Sequence, residues 1–154
     1  MKYDFSYPPV YPEQRAASEE NRRYARDIFE RCVNHLLKQG RRSMALNAES
    51  LDQNMQCVYR GEDGLMCGVG CLIDDVYYSE ELEGECAAEK GVMRALRNSG
   101  VEPATHWYDG AGRYSVYGLL SAVQDLHDKM EPEDWRAEAA TLAATYCLYP
   151  REQA

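Results

Sequence analysis

Three cysteines, Cys57, Cys67 and Cys71, stand in or beside a glycine-rich stretch that runs directly into Asp74 and Asp75. Thiols and carboxylates together could hold a metal ion or supply a nucleophile with its base, so spacing has to arbitrate. Zinc is bound by four converging ligands, usually delivered as paired C-x-x-C knuckles. Here nine residues separate Cys57 from Cys67, three separate Cys67 from Cys71, and fourteen separate Cys71 from Cys86. No knuckle exists, and His35, His106 and His127 are scattered along the chain. A metal set of Cys57, Cys67 and Cys71 is therefore the weaker alternative, and no metal or cofactor is expected. A cysteine nucleophile needs a lowered thiol pKa and a nearby base. Cys67 or Cys71 could face a cleft holding His106 or His127, but nothing in the spacing favours that over burial. Reduced, buried cysteines acting as small hydrophobes are the expected state of the six thiols. No catalytic residue is assigned.

Phosphate chemistry is excluded more firmly. Gly64, Gly68 and Gly70 look like a glycine-rich loop, yet no Lys-Ser/Thr pair follows and acids flank the segment on both sides. A phosphate cradle needs free backbone N–H groups and positive charge. The carboxylates themselves lack the fixed spacing and central glycine of a calcium loop.

Charge distribution says more than the net value of −9. Residues 61–89 carry nine acids, Glu62, Asp63, Asp74, Asp75, Glu80, Glu81, Glu83, Glu85 and Glu89, with no lysine or arginine. Such a block repels nucleic-acid backbones and attracts basic surfaces. Direct nucleic-acid binding is not expected from a chain with pI near 4.8, although arginines are frequent between Arg15 and Arg42. The candidate partner contacts are Asp74, Asp75, Glu80, Glu81, Glu83 and Glu85, joined by Trp107 and Tyr108 from an aromatic loop. Aromatic side chains dominate interface hot spots.

The elements that must position these residues can be read from period and punctuation. Tyr24, Ile28, Cys32 and Leu36 recur at four-residue spacing and predict a helix over 16–39, with Ser18 as its cap, Arg22 on its polar face and Gly40 ending it. A short helix over 44–52 is weaker. Residues 57–60 and 65–67 flank a Gly- and Asp-containing spacer and predict a hairpin. Helices follow over 85–98, 116–130 (capped by Ser115) and 132–147 (with Pro132 in its first turn). Residues 1–14 interleave prolines with Tyr3, Phe5, Tyr7 and Tyr11 and predict an extended arm ahead of one globular domain over 15–154. The expected fold class is mainly α, an α+β arrangement of about four helices around a small β-hairpin. No apolar run is long enough to span a bilayer and no secretory pattern opens the chain, so a cytoplasmic protein with no membrane contact is expected.

The stretch from Cys57 to Asp75, with Tyr77-Tyr78 and Leu82-Glu83-Gly84, resembles small proteins encoded by bacteriophages and prophages. They share a C-x-Y-R-G-x-x-G-x-x-C-x-V-G-C-L-I core and a later Leu-x-x-x-His-Asp segment, here residues 124–128 with Leu126, His127 and Asp128. The likeness covers about half of the chain, and this sequence has Leu72-Ile73-Asp74-Asp75 where that group has Leu-Ile-Pro-Asp. It implies a phage setting within a host cell and brings no catalytic residues with it. Together with the acidic block it leads to an expected role as a non-enzymatic accessory protein that binds a host protein, in takeover of host functions or evasion of defence. A face that imitates phosphates is one form this could take. A small cysteine-centred metalloprotein or enzyme is the first alternative, and a virion structural or assembly component the second.

Overall fold

The computed structural model describes residues 12–46, 55–110 and 112–149. Helix α1 spans Pro12–Gln39 and begins four residues earlier than its apolar period predicts. Proline is compatible with a first helical position, where its missing N–H has no partner to lose. Residues 12–14 of the expected arm are thus helical, and residues 1–11, where Tyr3, Phe5, Tyr7 and Tyr11 fall, lie outside the described residues. Ala25, Ile28, Phe29, Cys32 and Leu36 form the buried stripe of α1. Gly40, with φ of +66°, closes it by donating its N–H to Leu36 O at 2.8 Å.

Two small antiparallel ribbons accompany the helices. Strand β1 (Met44–Leu46) pairs with β2 (Met55–Cys57), Met44 opposite Cys57. Strand β3 (His106–Asp109) pairs with β4 (Gly112–Ser115), Trp107 opposite Tyr114. The predicted hairpin over 57–67 shrinks to a single bridge between Arg60 and Met66. Its spacer folds into a tight 3-10 turn, Glu62–Gly64, with Asp63 and Gly64 both at positive φ. The pairing partner of residue 57 is instead residue 44, so residues 44–46 of the weaker helix are a strand, and 47–54 lie outside the described residues. The stretch around Trp107 read as a loop is the second ribbon.

Residues 70–82 run as three successive 3-10 turns, Gly70–Leu72, Asp75–Tyr77 and Glu80–Leu82. Helix α2 (Lys90–Asn98) follows, five residues shorter at its start than its period suggested. Helix α3 (Val116–Lys129) is capped as expected, the Ser115 hydroxyl accepting from Gly118 N at 3.1 Å. A turn at Pro132–Asp134 leads into α4 (Trp135–Thr145). Among the described residues, four helices with short antiparallel ribbons thus make the mainly α fold.

The core gathers α1, α3 and α4 on Tyr59, Val69, Leu72, Trp107 and Trp135. Two glycines explain how closely the 67–73 segment lies on its neighbours. A Cβ at Gly70 would stand 2.2 Å from Tyr59 O, and one at Gly68 would stand 2.6 Å from Val123 Cγ1. Ser18, expected as the cap of α1, and Arg22, expected on its polar face, instead bind β3. Ser18, inside the helix and not at its cap, accepts from Tyr108 N at 2.8 Å, and Asn21 and the buried Arg22 donate to His106 O and Tyr108 O at 2.9 and 3.0 Å. They satisfy the outer edge of a ribbon that would otherwise lack partners.

Candidate functional site

The acidic segment divides into carboxylates that hold the fold and carboxylates that face solvent. Glu83 belongs to the first group. One of its oxygens accepts from Tyr59 N at 2.9 Å; the other accepts from Arg60 N at 3.0 Å and from Tyr78 OH at 2.7 Å. It thereby binds the two consecutive amides that follow Val58 and anchors the acidic stretch to the segment leading away from β2. Asp75 pairs with Arg60, whose guanidinium lies over the Tyr78 ring at 4.9 Å and donates to Ile73 O, while the Asp75 side chain itself faces solvent, 92% exposed. Burial and the neighbouring Glu83 carboxylate raise the Tyr78 hydroxyl. Asp74, Glu80 and Glu81 stay exposed, and Glu85 is half-buried. Between them the turn at Asp75–Tyr77 lifts two apolar side chains into solvent, Val76 at 79% and Tyr77 at 43% exposure. Val76, a short apolar side chain among acids, carries no positional signal in the sequence.

A cleft of about 320 Å³ opens beside this segment. Its wall includes Glu83, Glu85 and Cys86 from the acidic stretch, Cys57 at the end of β2 and Tyr59 just beyond it, and Gln124, Asp125 and Asp128 from α3. Four carboxylates line it and no lysine or arginine does. Glu85 also borders a second cleft with Tyr77, Glu81 and Arg94, so the acidic surface continues from one to the other. Asp125 and Asp128 had no place in the sequence-based set, because they are forty residues downstream and α3 brings them to the same cleft. The i,i+4 partner of Asp125, Lys129, reaches it at 3.1 Å from outside that lining.

Trp107 requires correction as a contact residue. It is fully buried, its indole N–H donates to Tyr146 O at 3.0 Å, and its ring stacks on Tyr114 with centroids 6.0 Å apart. Alternation in β3 sends Trp107 inward and its neighbour Tyr108 outward. Tyr108 is 42% exposed, but it sits against α1 while the acidic clefts border α2 and α3.

The three cysteines of the metal alternative do not converge. Cys67 is buried and accepts from Gly70 N at 3.2 Å, Cys71 donates to Gly68 O at 3.0 Å, and Cys57 turns the other way, toward Asp128. Among the described residues a different group has metal-ligand proximity, Cys57, His127 and Asp128, with one donor atom of each within 4.8 Å of the others. The protonation of His127 argues against a metal there. Ser43 N donates to His127 Nε2 at 2.9 Å, and an amide can only donate, so Nε2 carries the lone pair. The proton then sits on Nδ1, which donates to Asp128 Oδ1 at 2.7 Å. A metal at Nδ1 would force a proton onto Nε2 against the Ser43 amide, whereas ligating imidazoles donate their second N–H to an acceptor. His127 is buried, stacked on Trp135 at 5.7 Å, and acts as a structural link between Ser43 and α3.

The same arrangement disfavours nucleophilic chemistry at Cys57. Burial, and then the Asp128 charge with its hydrogen bond, push its thiol up to about 11, so it is protonated near neutrality. Neither ring nitrogen of His127 is free to take its proton. Burial likewise pushes Cys67 up to about 12.

Comparison with known protein families, with curated proteins and with solved structures returns no match to this chain. No helix among the described residues is long and apolar enough to cross a membrane.

Proposed function

We propose that the protein is a non-enzymatic bacteriophage accessory protein that binds a host protein inside the host cell, in takeover of host functions or evasion of defence. The observation that carries this reading is the carboxylate-lined cleft, free of lysine and arginine in its wall, which shares Glu85 with a second cleft bordered by the exposed Tyr77, Glu81 and Arg94. A concave acidic surface beside apolar side chains suits a partner that inserts a lysine or arginine and covers Tyr77 and its neighbour Val76. Charge complementarity of this kind speeds and orients association, while the apolar contact supplies most of the hold. Carboxylates in such a row can also occupy a surface evolved for phosphates, which extends the reading to partners that bind nucleic acid. The protein itself would contact neither nucleic acid nor membrane. The contact set is Asp74, Asp75, Glu80, Glu81, Glu85 and Asp125 with Val76 and Tyr77; Glu83 supports it from within the fold.

Capture from a bacterial host lysate tests this with two variants beside the parent chain, E81Q/E85Q/D125N and Y77A. The expected result is one protein retained by the parent, weakened at least tenfold by either variant and released by raised salt. A partner held equally by all three chains and insensitive to salt would overturn the acidic-face reading. Recovery of the chain as a stoichiometric component of purified particles would favour the virion alternative.

A further inference from the structure

Cys71 and Cys32 come from distant parts of the chain and meet where the 67–73 segment crosses α1. The closeness of that crossing is set by Gly68, whose missing Cβ would lie 3.7 Å from Cys32 Cβ and 3.3 Å from Leu36 Cδ1. Cys71 stands three residues further on, its thiol donating to Gly68 O at 3.0 Å, and packs against the core to which Cys32 belongs. The two sulfurs differ in access. Cys32 is fully buried, whereas Cys71 is partly open to solvent. Arg31 and Arg60 both place positive charge near Cys71.

We infer that Cys71 and Cys32 are an oxidisable dithiol pair, a modification site at which a low-molecular-weight disulfide such as glutathione disulfide closes a Cys32–Cys71 disulfide. Cys71 attacks first, as its thiolate, on one sulfur of the small disulfide. The S–S bond of the reagent breaks and its other half leaves as a thiolate that takes up a proton. The mixed disulfide on Cys71 is then attacked by Cys32, which gives up its proton as the second reagent thiol leaves. In sum two protein thiols become one disulfide, and the reagent is reduced to two thiols. The division of labour follows from the surroundings. A hydrogen bond from Cys32 and the two guanidiniums lower the Cys71 thiol, which favours the nucleophilic form, while the contact with Cys71 and burial raise Cys32 and keep it protonated until the mixed disulfide forms. Of the two, Arg31 is exposed and can draw the anionic carboxylates of glutathione, whereas Arg60 is held by Asp75 and Ile73 O. Cys86 is exposed and serves as an internal comparison.

The test is peptide mass mapping of the reduced full chain after incubation with glutathione disulfide at neutral pH, acid quench and alkylation. The expected product is a Cys32–Cys71 cross-linked peptide, lighter by two hydrogens than the pair of reduced peptides, with a persistent glutathione adduct on Cys86. In C32A the adduct on Cys71 should persist, and in C71S Cys32 should stay reduced. A stable adduct on Cys71 of the parent chain, or a bond from Cys71 to any other cysteine, would overturn the inference. So would an unreacted Cys71 when Cys86 is fully modified. The parent-chain map decides the matter even if C32A fails to fold.

Discussion

Glu83 shows how a single carboxylate can be removed from the surface chemistry its sequence neighbours suggest. It accepts from two consecutive amides and a tyrosine hydroxyl, and hydrogen bonds to a charged acceptor are stronger than neutral ones. E83A leaves those donors without their acceptor and should lower stability by about 1–3 kcal/mol in urea unfolding, whereas E80A, in a fully solvated position, should change it by less than about 0.5 kcal/mol. Equal effects of the two would remove the distinction between anchoring and displayed acids. His127 makes a second residue-scale case. Because the Ser43 amide dictates its tautomer, addition of zinc should leave the thermal midpoint of the chain unmoved, as should a chelator, and C57S should behave like the parent in both. A zinc-dependent rise that disappears in C57S would show that the site can reorganise around a metal.

At the scale of elements, the 67–73 segment is the joint on which the fold depends. Glycine at 70 is required by Tyr59 O, and glycine at 68 by Val123 and Leu36. G70A must move backbone and should cost about 3 kcal/mol or prevent folding, near the upper end of overpacking. G64A meets no atom within 4 Å and carries only the positive-φ penalty, about 1–2 kcal/mol. Circular dichroism and urea titration of both variants check the order; a G70A chain as stable as G64A would mean that the crossing over Tyr59 can relax. The sequence showed α3 and its Ser115 cap clearly, since the stripe and the cap agree. S115A should lose about 1 kcal/mol. The ribbons are the elements least legible in the sequence. Residues 57–67 have the turn chemistry of a hairpin, but Cys57 has a better partner in Met44, and Asp63 and Gly64 tighten the spacer into a 3-10 turn. Pairing between segments distant in sequence leaves no mark in local composition.

For the whole molecule, alkaline pH provides a test of how much acid–base chemistry is buried. The thiols of Cys57 and Cys67 are raised from an ordinary value of 9.0 to about 11 and about 12, and burial raises the Tyr59 hydroxyl further still. A group that holds its proton more tightly in the folded state stabilises the fold fully below its unfolded pKa and loses that contribution as pH rises through the folded one. Stability should therefore be level near neutrality and fall from about pH 9 through about pH 12, read as a declining urea midpoint. C67A should make the decline shallower; an unchanged midpoint up to pH 12 would contradict the burial of these groups.

Read alone, the amino-acid sequence determined the helical class, the stripe of α1, the capped α3 and the concentration of acids in 61–89, because each is a local pattern of period, punctuation or charge. Tertiary structure decided which acids matter outward. Folding turned Glu83 to internal partners, carried Asp125 and Asp128 across to the same cleft, buried Trp107 and raised Val76 and Tyr77 into solvent. The physical reason is that a carboxylate's role depends on the donors around it in space, and those donors come from parts of the chain that no sequence window contains.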